Sequence, residues 1–128
     1  MQTIITETAP KISISVVSHG QIHLVELLLQ DLKQYCQVSR VELILTLNLN
    51  ESLPFVVEAF DFPIKIMRNP APLGFAANHN QAFTEAVGEY FCVLNPDIRL
   101  LDNPFPVLLS CLKQDNTGIA APLVLNNA

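Results

Sequence analysis

Two short segments carry the residue types that could do chemistry. The first is Arg68-Asn69-Pro70-Ala71-Pro72-Leu73-Gly74-Phe75-Ala76-Ala77-Asn78-His79-Asn80. Its two prolines remove backbone donors and fix φ, so Pro70–Gly74 is a loop and not helix interior. The loop leads into a stretch of helical composition, and the free N–H groups at that helix start, beside Arg68, can form an anion site. Read without its context, the same stretch is a Gly-Phe turn before an Asn-capped helix. Gly74 is expected at a backbone position that a larger residue disrupts, through positive φ or close approach. The second segment is Leu94-Asn95-Pro96-Asp97. A carboxylate at a strand end can bind a divalent cation whose other ligands are phosphate oxygens and water. An ordinary Asx turn is the competing account.

Both segments need elements to position them, and hydrophobic patterning supplies these. Ile12, Ile14, Val16 and Val17 alternate with serines and stop at Ser18-His19-Gly20, a strand ending in a turn. Leu24, Leu27, Leu28 and Leu32 fall at helical spacing. Arg40–Asn48 reads as a second strand, apolar enough near its end to be covered on both faces, and Ile64–Met67 as a third. A helix is expected from Phe75 to Val87, stopped by Gly88, before a strand at Tyr90–Leu94. A helix around Val107–Leu112 and a strand at Ile119–Val124 follow. Alternating strands and helices predict an α/β fold, a mostly parallel sheet with helices on both faces. In such sheets ligands bind beyond the carboxyl ends of the strands. Four of those ends carry polar or turn residues: Ser18-His19-Gly20, Asn48, Arg68-Asn69 and Asn95-Pro96-Asp97.

Composition narrows the partners. With 128 residues and 50% hydrophobic content the chain can build one compact core. Seven basic residues, no two adjacent, and a net charge of −5 argue against nucleic acid. Cys36, Cys92 and Cys111 form no C-x-x-C pair, so no zinc site or disulfide framework is expected. Neither a basic n-region nor a run of roughly 20 apolar residues occurs, so a cytoplasmic protein without a transmembrane segment is expected. His19 and His79 are expected to be hydrogen-bonded or solvent-facing histidines. Ser18-His19-Gly20-Gln21 lacks the G-x-G-x-x-G of a dinucleotide-binding dehydrogenase.

Taken together, the order strand, N-x-x-x-x-G-F-A-A-N-x-N, helix, G-E-Y-F-x-x-L-N-P-D resembles the family 2 glycosyltransferases of GT-A, Rossmann-like fold, in particular their rhamnosyltransferase-like branch. The resemblance runs from Ile12, through V-V-S-H-G, to Pro122-Leu123-Val124-Leu125, and is most specific between Asn69 and Asp97. It implies transfer of a sugar from a dTDP- or UDP-sugar donor to a hydroxyl of a glycan or lipid-linked glycan, with inversion. It also implies a divalent metal, manganese or magnesium, bound by Asp97, with Asn95 standing where a D-x-D motif has its first Asp. Ser18, His19, Asn48, Arg68, Asn69, Gly74, Asn78, Asn80, Asn95 and Asp97 would line the nucleotide-sugar site. The family usually ends its second strand in D-N-x-S or D-D-x-S, and here Asn48-Leu49-Asn50-Glu51 stands in that place. No catalytic base is assignable; the family's base is expected beyond residue 128. The expectation is thus a nucleotide-sugar-binding half, cut after about the fifth strand, inactive alone, and in a longer protein peripheral to the inner membrane face. The rival expectation is a degenerate, non-catalytic binding module derived from such an enzyme.

Overall fold

The computed structural model describes residues 11–37 and 39–122. Within them four parallel strands, β1 (Ile12–Ser18), β2 (Val41–Leu47), β3 (Ile64–Arg68) and β4 (Tyr90–Leu94), form one sheet in the order β3-β2-β1-β4. Ile12 lies beside Val41 on one side and Tyr90 on the other, and Leu47 beside Arg68. Because every pair is parallel, all four carboxyl ends emerge along one edge.

Side-chain alternation divides the sheet into two unlike faces. Ile12, Ile14 and Val16 of β1 and Val41, Leu43, Leu45 and Leu47 of β2 are buried in the main apolar cluster. Helix α1 (Ile22–Tyr35) covers this face with Ile22, Val25, Leu28, Leu29 and Leu32. Phe105 of α3 (Phe105–Leu112) joins the same cluster, as do Phe60 and Phe62 from the β2–β3 connection. The stripe is set by Val25 and Leu29 as well as Leu28 and Leu32. Leu24 and Leu27, which the leucine spacing alone also places inside, are 36% and 43% exposed.

The opposite face mixes polar groups with apolar ones, Ile44 and Phe91 among them. Ser13, Ser15, Glu42 and Thr46 are all buried on it, and α2 (Phe75–Glu85) lies across it with only Asn78, His79 and Ala82 buried. At the amino ends of the strands, the Glu42 carboxylate accepts from Ser13 Oγ and from Val87 N (2.8 Å), with Lys65 Nζ 3.6 Å away. Gly88 N donates to Ser13 Oγ (2.8 Å). Gly88 does not end the helix, as its position suggests; α2 stops at Glu85 with Ala86 as C-cap. The glycine serves a close approach instead, since a Cβ there would lie 2.8 Å from Ser13 N.

The strand expected at Ile119–Val124 is not found where it can be tested. Ile119–Pro122 form no strand, and Leu123 and Val124 lie outside the described residues. Without a neighbouring strand to accept its ladder, an apolar run has nothing to hold it extended. Among the described residues no helix is long and apolar enough to cross a membrane.

Candidate functional site

The sheet order sets the strand exits along the carboxyl edge as Arg68-Asn69, Asn48–Glu51, Ser18–Gly20 and Asn95–Asp97. Three of these are joined by a network of side-chain amides. Asn48, 4% exposed, accepts from Asn69 Nδ2 and from Leu73 N, both at 2.8 Å. Its Nδ2 donates to Leu73 O and to His19 Nδ1, both at 2.9 Å. A backbone N–H can only donate, so Leu73 N fixes which side of Asn48 is oxygen. His19 Nδ1 is therefore an acceptor, and its proton sits on Nε2. Asn69 Nδ2 also donates to Asn78 Oδ1 (2.7 Å), and Asn78 Nδ2 to Leu73 O (3.2 Å). Asn48 thus uses both donors and both acceptors inside the protein.

The network shapes the Pro70–Gly74 loop by gripping Leu73 through both its N–H and its C=O. Gly74 follows as N-cap of α2 with φ −77°, and nothing lies within 4 Å of a Cβ built on it. This corrects the expectation of positive φ or a crowding protein neighbour. No side chain caps α2, and its first turn holds no acid, so its leading N–H groups face the edge uncapped. Asn80 is exposed on the helix and stands apart from the amide network.

His79, buried, bonds Ser15 Oγ through Nδ1 at 2.8 Å and packs edge-on against Phe75. Burial lowers its pKa below the ordinary imidazole value, which keeps it neutral. Among the described residues Thr46 Oγ1 is buried without a partner.

Glu51 is a participant that strand-end reasoning passed over. Its carboxylate accepts from Ser18 Oγ (2.7 Å), Gly20 N (3.1 Å) and Ile22 N (3.2 Å), filling the start of α1. Gly20 adopts φ +78° in that turn, a conformation suited to glycine. Arg68 Nη1 donates to the Glu51 carbonyl at 2.8 Å, which holds the guanidinium at the β2 exit. The signal in sequence was an acid three positions past Asn48, within reach of the β1 turn.

The fourth exit is built differently. Pro96 is buried, Asn95 and Asp97 are exposed, and Ile98 N closes a turn on Asn95 O at 3.2 Å. Asp97 has no hydrogen bond or ion pair among the described residues. Beyond it, Arg99 and Leu100 are fastened to Asp31 of α1. Asp102 lies well away from this edge, since neighbouring Asn103 bonds Ser39 Oγ (3.0 Å) in the α1–β2 turn.

As a donor set for a metal, the edge offers an unpaired carboxylate beside an exposed amide oxygen. No group of three or more His, Cys, Asp or Glu that could hold a metal occurs among the described residues. That set suits a hard cation that keeps most of its ligands as water and phosphate, and does not suit a protein-caged zinc. The thiols take no part: burial pushes Cys36 and Cys92 up to about 11.

A parallel α/β sheet with its polar groups gathered at the carboxyl edge defines a Rossmann-like, nucleotide-binding type of fold. The sequence matches the profile of Glycosyl transferase family 2 over residues 13–127, and the chain belongs to that family. No curated protein matches the sequence. Membership carries with it glycosyl transfer from a nucleotide-sugar donor to a glycan acceptor.

Proposed function

We propose that the chain binds a dTDP- or UDP-sugar along the carboxyl edge, as the donor-binding part of an inverting transferase of the rhamnosyltransferase-like branch. The observation that carries this reading is the unpaired Asp97 carboxylate at the β4 exit, next to a β1 exit where Glu51 takes up Ser18 Oγ and Gly20 N. A divalent cation bound there would offset the negative charge of the departing diphosphate. Around it, the uncapped start of α2 supports a role in receiving phosphate oxygens. Exposed His19, with its proton on Nε2, and exposed Asn80 remain available to the donor. Asn48, Asn69 and Asn78 set the loop that borders it.

No base is assigned. Asp97 is reserved for the cation, the Glu51 carboxylate is engaged by three donors, and Asp102 lies elsewhere. The reading therefore expects donor binding without acceptor-dependent transfer from these 128 residues alone.

The direct test is titration of UDP and dTDP into wild type and Asp97→Ala, with and without manganese. Manganese should tighten nucleotide binding to wild type, and the variant should lose that gain while melting as wild type does. Equal manganese-dependent affinities would remove Asp97 from the site. The saturation of Asn48 favours a second reading, in which the edge has lost base recognition and serves as a non-catalytic module. Absence of any nucleotide binding by the wild type would decide for it.

A further inference from the structure

Asp31 lies on α1, with its carboxylate buried between that helix and the segment following β4. It is 5% exposed and accepts from Arg99 Nε at 2.7 Å and Arg99 Nη2 at 3.0 Å, a two-pronged pair. It also accepts from Leu100 N at 2.9 Å. Arg99, for its part, keeps 54% of its side chain exposed. A buried carboxylate must be fully partnered to be tolerated, and here an ion pair and a backbone amide supply the partners. The Arg99 guanidinium beside it holds the Asp31 carboxyl below its ordinary range, with the Leu100 N–H adding to the effect.

What Asp31 fastens is the irregular segment that carries Asn95, Pro96 and Asp97. That segment belongs to no helix or strand between Leu94 and Phe105. On its near side it is held by the buried ring of Pro96 and by the turn from Ile98 N to Asn95 O. On its far side, two and three residues past Asp97, it is held by Asp31. Asp97 itself touches no polar partner, so among polar contacts only its backbone placement limits the region its carboxylate can reach. Freeing Arg99 and Leu100 N would remove the nearest polar anchor after Asp97, leaving the packing of the Leu100 side chain and the Asn103–Ser39 bond farther on.

We infer that Asp31 is a positioning residue for Asp97, acting through Arg99 and Leu100 to aim that carboxylate at the donor edge. The inference rests on the reading of Asp97 given above. A fixed backbone matters here because a cation with a single protein carboxylate gains little from a ligand that must first be ordered. Nothing in the sequence points to the pair, whose members lie 68 residues apart.

The test uses the full chain, with manganese and UDP or dTDP as probes. The measured quantity is the gain in nucleotide affinity that manganese confers, alongside the metal-free affinity and the melting temperature. Asp31→Asn should cut the manganese-dependent gain about tenfold and leave metal-free nucleotide binding unchanged. Arg99→Gln, on an exposed side chain that leaves the core intact, should reduce it in the same direction. Arg99→Lys, which restores the charge but not the fork, should recover part of it. A fall in melting temperature with an unchanged manganese-dependent gain in Asp31→Asn and Arg99→Gln overturns the proposal and makes the pair purely structural. Should Asp31→Asn fail to fold, an unchanged gain in Arg99→Gln overturns it alone. No manganese dependence in the wild type would instead strike the Asp97 reading, and this proposal with it.

Discussion

The two helices that cover the sheet are held by opposite means. Helix α1 sinks five aliphatic side chains into the apolar face, where contact is non-directional and scales with buried area. Helix α2 buries only two polar side chains and an alanine. It is pegged instead by hydrogen bonds, at its entrance through Asn69, Asn78 and Leu73, and at its exit through Glu42 and Ser13. Apolar packing supplies stability, whereas hydrogen bonds to fixed partners supply placement. The face given to placement is the one whose helix opens onto the carboxyl edge of the sheet.

The sharpest way to break this comparison is to remove one anchor from each helix. Leu28→Ala should lower stability by about 2–5 kcal/mol through lost burial and a residual cavity. Asn78→Ala should cost about 1–3 kcal/mol by removing two hydrogen bonds and leaving one Asn69 N–H without its acceptor. Amide exchange separates the two: Leu73 N–H, which donates to Asn48, should lose protection in Asn78→Ala beyond what its lower stability accounts for. In Leu28→Ala its exchange should rise only in step with global stability. Denaturant melts combined with exchange at Leu73 measure both, and equal local loosening in the two variants would erase the distinction.

A smaller effect should separate two glycines at opposite ends of α2. Gly88→Ala places a methyl 2.8 Å from Ser13 N and Oγ and should destabilise by about 1–3 kcal/mol. Gly74→Ala meets open space at an ordinary φ and should stay within about 0.5 kcal/mol of wild type. Thermal melts of the two variants side by side check this, and a Gly74 variant as damaged as the Gly88 one would contradict the geometry.

The smallest effect is in pH. His79 has a folded pKa lowered by burial, so its contribution to stability is complete above the unfolded value of about 6.5. It is lost as pH falls through the folded pKa, because the unfolded chain takes up the proton first. Asp31, likewise lowered, adds a second loss that begins only below about 3.9. Melting temperature followed from pH 8 to 4 should fall earlier in wild type than in His79→Gln. A single acid limb shared by both proteins would show that His79 carries no such linkage.

Much of this was legible from residue order. The strands at Ile12, Val41, Ile64 and Tyr90 announce themselves as β-branched or aromatic runs between turn residues, and Asn95-Pro96-Asp97 reads as a polar strand exit. What escaped depends on three-dimensional alignment. Asn48, Asn69 and Asn78 read as potential ligand contacts, since nothing local says that two strand exits and the start of α2 bring their amides within reach of one another. Leucines at 24, 27, 28 and 32 allow more than one helical stripe, and the sheet, not the helix, chooses which faces inward. Gly88 has the composition of a helix stop, but its function is set by Ser13, which is 75 residues away.

That last separation also governs how the molecule is made. Strand β1 lies between β2 and β4, and its second neighbour is synthesised only after β2, β3 and both covering helices. At ordinary translation speeds, on the order of 10 residues per second, β1 waits several seconds with one side unpaired. Long-range parallel pairing is also intrinsically slow, because the intervening chain must be brought together before any contact rewards it. During that interval the half-built sheet presents open backbone groups to whatever is nearby. The open side of β1 closes only when β4 docks against it.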